Sequence, residues 1–471
     1  MEKPTIILAT SNGVGMGHLA RASAVALALK EVANPIIVSM AGGIAEVPSF
    51  MGIRCEYIPG KDRMWMNREK WDIYLRDRLL ALVEETNAKV LSFDGVVPYP
   101  GVIAAKNSNP NLKLVWVRRG LWQKKPQRFV LGLQSKMMDK VIEPGDIARA
   151  YDFGPTATRK DSVLTAPVSL FRREDAMTRD DARRALGLDL NRPTALVQLG
   201  TGDSDVNEKV TAALSGLLGW KDLQVILTKA PVDKDGKSLA PVGLDLKVVR
   251  YFPLAKVLHA FDAGICATGY NGVHELLPAQ VPTVFVSNIR GTDDQEARAR
   301  WCNDFGFALR ADQANLADIT EKVKMLQDPD VRKRLSEKCA ELPNTTGGQE
   351  IAAMLYELAV EQKPQRPKSF TFARLMAQEH INRGLRHVAN LGLRRLALVY
   401  RFLHPHIRVQ EISLEPPIFG DHTTAAELHP LIKSATRYEH MIEGASPNYR
   451  KRREEIAFAA YGKQVIVTKS K

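Results

Sequence analysis

The 471-residue sequence lacks any run approaching the roughly 18 to 20 consecutive apolar residues that a membrane-spanning helix requires. Its opening, MEKPTIILATSNG, offers one Lys and a six-residue apolar run, too short for a signal peptide, and reads as a first strand. Cysteine is scarce. Cys55, Cys266, Cys302 and Cys339 lie far apart, with no Cys-x-x-Cys and no zinc-type spacing, so a disulfide framework is excluded and a reduced, cytosolic setting is expected. An acidic residue is missing where a dinucleotide-binding unit would need one. The segment IIVSMAGG, about twenty positions after the first glycine-rich turn, ends without Asp or Glu, which argues against a nicotinamide-dependent dehydrogenase.

What is present is ordinary for a folded α/β protein: 45% hydrophobic and 25% charged residues, in a length that predicts two or three domains. The charge is unevenly placed. Of the net +13, residues 361–471 supply nineteen Lys and Arg against ten Asp and Glu, together with seven of the ten histidines. A basic tail on a near-neutral body points to an anionic partner for the tail.

Taken in order, TIILAT is a first strand and SNGVGMGHLARASAVALALKE a glycine-rich turn entering a helix, with Ala22, Val25, Ala26 and Leu29 on one face. The segment KDRMWMNREKWDIYLRDRLLALVEET predicts an amphipathic helix whose Trp65 and Trp71 pack or meet a substrate, packing being favoured. AKVLSFD is an apolar strand ending in Asp94, and LKLVWV is another, followed by Arg118, Arg119, Trp122, Lys124 and Lys125. Four cations at a strand end suit an anionic or phosphorylated substrate or a solvated surface. A first domain is expected over 1–165 and a second over 166–364. The second opens with TALVQLG and a loop, Gly200 to Ser204, whose N–H and hydroxyl groups suit a phosphate. LQVILTKA and LKVVRYFPL follow.

The stretch from Ala267 to Gln295 carries the most information. DAGICA is a strand, a glycine-rich turn leads into the helical GVHELLPAQ, VPTVFVSN is a second strand, and an acidic loop ends in Asp293, Asp294 and Gln295. In such a β-α-β unit the loops open on the ligand-binding edge of a parallel sheet. Gly269 and Gly272 let backbone approach a ligand, and the helix start near Asn271 presents N–H groups to an anion.

Gly269, Tyr270, Asn271, Glu275, Pro282, Asp294 and Gln295 resemble, in type and spacing, the donor-binding signature of GT-B glycosyltransferases that use UDP-sugars. The likeness is closer to bacterial relatives of the lipid-linked peptidoglycan GlcNAc transferase, because Ala267 stands where the plant signature has a phosphate-touching His. The resemblance implies two Rossmann-like domains facing across a cleft. It assigns Glu275 to the ribose hydroxyls, Asp294 and Gln295 to the transferred sugar, and Phe252 to the uracil side. It places Gly15, Gly17, Gly200, Thr201, Gly269, Asn271 and Gly272 along the rest of the donor. It also implies that His18, on the glycine-rich loop of the first domain, is the base that deprotonates the acceptor, with Asp94 as its orienting carboxylate. Arg118 and Arg119 are then candidates for an anionic acceptor. GT-B sites stabilise the leaving diphosphate by helix N-termini and side chains, so the resemblance implies no metal or other cofactor.

Residues 365–471 fall outside the resemblance. A helical pattern from about Thr371 to Leu403 places Ile381, Leu385, Val388, Leu396, Val399 and Leu403 on one face. Packing on the catalytic body or on a second subunit is favoured for it over an anionic membrane surface, with nucleic acid the least favoured. Membrane association would place the protein peripherally at the inner face. The expectation is an inverting hexosyltransferase, moving GlcNAc or a similar sugar from a UDP-sugar to a hydroxyl of an unidentified, lipid-linked or anionic acceptor. Its rivals are a non-catalytic sugar-nucleotide scaffold or sensor and a sugar-nucleotide 2-epimerase.

Overall fold

The structure, a computed structural model, describes residues 2–11, 17–40, 51–60, 68–124, 131–200, 204–228, 241, 243–249, 251–288, 291–361 and 368–381. They form two wholly parallel sheets. The first has seven strands in the order β3-β2-β1-β4-β5-β6-β7. These are β1 (Thr5–Thr10), β2 (Asn34–Ser39), β3 (Arg54–Tyr57), β4 (Val90–Asp94), β5 (Lys113–Val117), β6 (Lys140–Glu143) and β7 (Val163–Leu164). Its helices are α1 (Gly17–Leu29), α2 (Arg68–Thr86), α3 (Pro100–Ser108) and α4 (Leu131–Met137). The order reverses at β1 and β4, whose loops carry His18 and the end of Asp94's strand, and a parallel sheet opens a ligand crevice at such a switch point.

These strands are apolar on both faces because helices cover both. In β1, Ile7 and Ala9 join the core beneath α2 and α3, while Ile6 and Leu8 face α1. The expected buried face of α1, Ala22, Val25, Ala26 and Leu29, is found in that second core. Trp71 is fully buried, its Nε1 donating to Pro59 O at 2.7 Å, so it is a core residue and no substrate contact. Trp65 and Lys125 lie outside the described residues.

The second sheet has six strands, ordered β10-β9-β8-β11-β12-β13. They are β8 (Thr194–Gln198), β9 (Gln224–Leu227), β10 (Asp245–Val248), β11 (Ala263–Ala267), β12 (Thr283–Val286) and β13 (Leu309–Ala311). Helices α5 (Arg179–Leu186), α6 (Ser204–Leu217), α7 (Tyr270–Leu276), α8 (Gln295–Asp304), α9 (Leu316–Met325) and α10 (Pro329–Cys339) accompany it. The last of the series, α11 (Gly347–Val360), returns to the first sheet and buries Ile351, Ala352 and Leu355 against α1. Gly347 is needed at that return, since a Cβ there would stand 2.0 Å from Ala166 O.

A further helical stretch, residues 369–381, packs on the first sheet's core through Leu375, flanked by Phe372 and Met376. The Lys368 ammonium beneath it donates to the carbonyls of Lys136 and Met138 at 2.9 and 3.0 Å. Of the apolar face expected from the sequence only Ile381 is described, and it is 60% exposed; Leu385, Val388, Leu396, Val399 and Leu403 lie outside the described residues. No helix among the described residues is long and apolar enough to cross a membrane.

Candidate active site

The loops at the carboxyl ends of both sheets meet across a cleft. On the first side, α1 begins at Gly17 and carries His18 and Arg21 over the end of β4. His18 Nδ1 lies 2.7 Å from Asp94 Oδ1. Arg21 forks onto the same carboxylate, Nη2 to Oδ1 at 2.6 Å and Nε to Oδ2 at 3.0 Å. Arg21 Nη2 is also 2.9 Å from His18 Nδ1, because both donors converge on one oxygen. That assigns the proton to Nδ1 and leaves Nε2 as the acceptor, the tautomer a general base needs.

The electrostatics keep this pair split. Burial by itself would raise the Asp94 carboxyl, but Arg21 and the His18 hydrogen bond outweigh it and hold it at about 2. Burial lowers His18 below its ordinary 6.5, against the pull of Asp94 and with help from Arg21 and Arg119. His18 is therefore neutral at neutral pH and 22% exposed. Arg21 was not foreseen from the sequence, although its place one helical turn after His18 put it on the same face.

The second side is the Ala267–Gln295 unit. Gly269 precedes α7, and among the described residues neither it nor Gly17 has a non-neighbouring atom within 4 Å of where a Cβ would stand, so both leave backbone open to a ligand. Gly272 differs: a Cβ there would meet Cys266 Sγ at 2.8 Å, so its lack of a side chain packs α7 onto β11. Asn271 reaches across the cleft, its Nδ2 donating to Gly17 O at 3.2 Å while its Oδ1 is buried without a partner. Gly200 adopts a positive φ of 94°, a conformation glycine supplies without strain, and closes the edge near Asn288. Gly15 and Thr201 lie outside the described residues.

Glu275 sits half-buried on α7, and its carboxyl has no hydrogen-bond partner among the described residues. Burial pushes it up to about 8. A carboxyl left with its hydrogen-bonding capacity unused is suited to hydroxyl groups brought by a ligand. Phe252 is half-buried on the loop before the 3₁₀ turn Leu254–Ala260.

The acidic loop is arranged differently from the expectation. Asp294 caps α8, its Oδ1 accepting from Ala297 N at 3.0 Å. Gln295 is buried with both ends of its amide engaged, Oε1 accepting from Asn288 N at 2.9 Å and Nε2 donating to Asp293 Oδ2 at 3.3 Å. As the loop stands, one of its two N–H groups and one lone pair of its oxygen are taken by the loop itself. The loop also pairs with the first domain. Trp122 and Asp293 form an antiparallel bridge, Gln123 N donates to Thr292 O at 2.8 Å, and Asp294 N donates to Leu121 O at 3.0 Å.

The two arginines proposed for an acceptor part company. Arg118 is fully buried, donating to Asp161 at 3.0 Å and lying 5.1 Å over the Trp116 ring, so it holds β5 and cannot meet an acceptor. Arg119 faces the cleft, with Nη2 3.2 Å from Asp293 Oδ1.

Beneath the cleft, three residues of the second domain grip one loop of the first. Tyr270 donates its hydroxyl to Gly145 O at 2.7 Å and accepts from Val168 N at 2.9 Å. His274 Nε2 accepts from Ile147 N at 3.1 Å, while Nδ1 donates to Tyr270 O at 2.7 Å. Burial pushes His274 down to about 4, which keeps it neutral for that acceptor role. Arg298 forks onto Asp146 and also donates to Thr268 O at 2.8 Å. None of Asp146, His274 and Arg298 carried a motif in the sequence; only the fold brings them together.

Two facing parallel-sheet domains, with a cleft at their carboxyl edges and a helix that returns to the first domain, are the GT-B fold of glycosyltransferases. Solved structures with this fold include a MurG of Acinetobacter baumannii, with a TM-score of 0.50 at 18% identity over 75% of this chain and 99% of that one. Another is an S. aureus MnaA structure with UDP, with a TM-score of 0.55 at 12% identity over 76% of this chain and 98% of that one. In sequence, the chain is similar to the UDP-N-acetylglucosamine--N-acetylmuramyl-(pentapeptide) pyrophosphoryl-undecaprenol N-acetylglucosamine transferase of Nocardioides sp. It is 31% identical over 175 residues, 36% of this chain and 47% of that protein. The chain spans about half the length of such curated relatives. No family model matches it.

Proposed function

We propose that the protein is an inverting glycosyltransferase that moves a hexose, GlcNAc or a similar sugar, from a UDP-sugar to an acceptor hydroxyl. The observation that carries this reading is the His18–Asp94 contact of 2.7 Å, with Nε2 without a hydrogen-bond partner among the described residues and Asn271 of the second domain reaching Gly17 O beside it. A protein that only binds a sugar nucleotide has no use for a tautomer-fixed base there.

In this reading the acceptor oxygen attacks the anomeric carbon as His18 Nε2 takes its proton. The new C–O bond forms opposite the old one, and the old bond breaks with its electron pair going to the β-phosphate oxygen of UDP. Asp94 holds Nδ1–H and balances the imidazolium charge, while Arg21 keeps Asp94 ionised. Glu275 accepts from the ribose hydroxyls and Phe252 lies on the uracil side. Backbone at Gly17, Gly200 and Gly269, with Asn271, lies along the diphosphate, and Asp294 faces the transferred sugar. No metal is given a role, so EDTA should leave turnover intact. The name of the Nocardioides relative gives it a pyrophosphoryl-undecaprenol acceptor, and a lipid-linked acceptor reached peripherally at the inner face of a membrane is part of the same proposal for this chain.

The test is a panel of UDP-sugars scored by UDP release, with and without a bacterial lipid extract. Release that depends on the extract supports transfer. Release without any acceptor fits a sugar-nucleotide 2-epimerase side reaction or hydrolysis, and binding without turnover fits a scaffold or sensor; either contradicts the proposal.

A further inference from the structure

Three arginines converge on the cleft, and their partners are unequally shared. Arg21 is matched by the Asp94 carboxylate and Arg298 by that of Asp146. Arg119, on the loop leaving β5, has one ionic contact among the described residues, Nη2 to Asp293 Oδ1 at 3.2 Å, and its Nε is buried with no hydrogen-bond partner among them. Even that contact is shared, because Asp293 Oδ1 already accepts from Arg298 Nη2 at 3.1 Å. Burial opposes the charge on Arg119, and Arg21 and Arg298 oppose it further. A guanidinium carries five N–H donors in a planar fork that fits phosphate or carboxylate oxygens two at a time. At 17% exposure, water supplies few of the missing partners.

We propose that Arg119 binds an oxyanion, phosphate or carboxylate, that a substrate carries into the cleft, and that Asp293 stands in for it while the cleft is empty. Binding releases Asp293 from Arg119 only, since Arg298 Nη2 keeps its own contact with Asp293 Oδ1 at 3.1 Å. Arg119 is also close enough to His18 to oppose its protonation, so an oxyanion on Arg119 strengthens the base at the moment substrate arrives. The inference rests on the glycosyl-transfer reading only for the source of the oxyanion, which is either the donor diphosphate or an anionic group of the acceptor.

Calorimetric titration with inorganic pyrophosphate tests it without reading turnover, so failure of transfer and failure of this inference are separable. Wild-type protein is expected to bind pyrophosphate, and Arg119→Ala to weaken binding about tenfold or more. Arg119→Lys, which keeps the charge but not the fork, should fall between, and serves if the Ala variant does not fold. Asp293→Asn removes the competing charge at constant shape and should tighten binding several-fold, whereas a purely structural ion pair predicts loss in both variants. Saturating UDP identifies the source: competition assigns Arg119 to the donor diphosphate, and additive binding to an acceptor anion. The proposal is overturned if wild-type protein does not bind pyrophosphate, if folded Arg119 variants bind it within about twofold of wild type, or if Asp293→Asn weakens binding.

Discussion

Arg298 and Asp146 meet across the junction of the two domains, Nε and Nη2 lying 3.1 and 2.8 Å from the same carboxylate oxygen, with neither side chain more than 3% exposed. Arg298 also holds Asp293 of the acidic loop at 3.1 Å. One side chain thus ties the first domain's Gly145–Ile147 loop to the loop expected to receive the sugar, so domain arrangement and site geometry are not independent.

Removing one member of this pair leaves the other buried and uncompensated. Arg298→Met and Asp146→Asn should each cost about 3–5 kcal/mol of stability, measured by urea unfolding. Burial would raise the Asp146 carboxyl, but Arg298 and His274 outweigh it and hold it at about 2. With the folded value depressed below the ordinary 3.8, its stabilising contribution is present above about pH 4 and is lost as pH falls toward 2.

Tyr270→Phe keeps the ring stacked near His274 but leaves Gly145 O and Val168 N without a partner. A loss of about 1–3 kcal/mol is expected by the same unfolding measurement, with little change in UDP affinity. An equal loss of UDP affinity would make Tyr270 a ligand contact and contradict its role at the junction.

Glu275 carries the opposite pH signature. Its folded value, pushed by burial to about 8, lies above the ordinary 4.5, so the unliganded fold loses stability as pH rises through 8. Glu275→Gln should therefore raise the melting temperature more at pH 9 than at pH 6, while weakening UDP binding about tenfold or more through the lost ribose contacts. In wild-type protein, UDP affinity should improve between pH 6 and 9 as the carboxylate forms. Flat UDP affinity across that range would remove Glu275 from the ribose.

The helical stretch 369–381 should stabilise the first domain. Leu375→Ala is expected to cost about 2–5 kcal/mol, read as an earlier unfolding transition, because Leu375 is wholly buried in that domain's core. A change below 0.5 kcal/mol would show that the helix is dispensable for the fold.

Strand-length apolar runs made both sheets legible from the sequence, since parallel strands buried on two faces cannot alternate with polar residues. The signature around Gly269 and Glu275 located one side of the cleft, and His18 with Asp94 the other, because each stands at a strand end where the sheet opens. What the sequence concealed were tertiary choices. Arg118 and Arg119 are adjacent and chemically alike, yet just past the end of β5 Asp161 and the Trp116 ring take Arg118 into the core, while Arg119 turns to Asp293 of the second domain. Gln295 was read as a ligand contact, but the loop's own Asn288 N and Asp293 take part of its amide. The helix over residues 369–381 docks through Leu375 rather than Ile381, a difference that helical periodicity alone does not decide when both residues are apolar.

The central claim is that His18, oriented by Asp94, is the base of a sugar-transfer site. The most direct measurement is acceptor-dependent UDP release by wild-type protein and His18→Ala under single-turnover conditions, with UDP-sugar affinity measured in parallel. The account predicts a rate lower by about 10²- to 10⁴-fold with donor affinity unchanged within about threefold, and in wild type an acid limb below pH 6.5, since burial lowers His18 from that value. A His18→Ala rate close to wild type at unchanged donor affinity would contradict it.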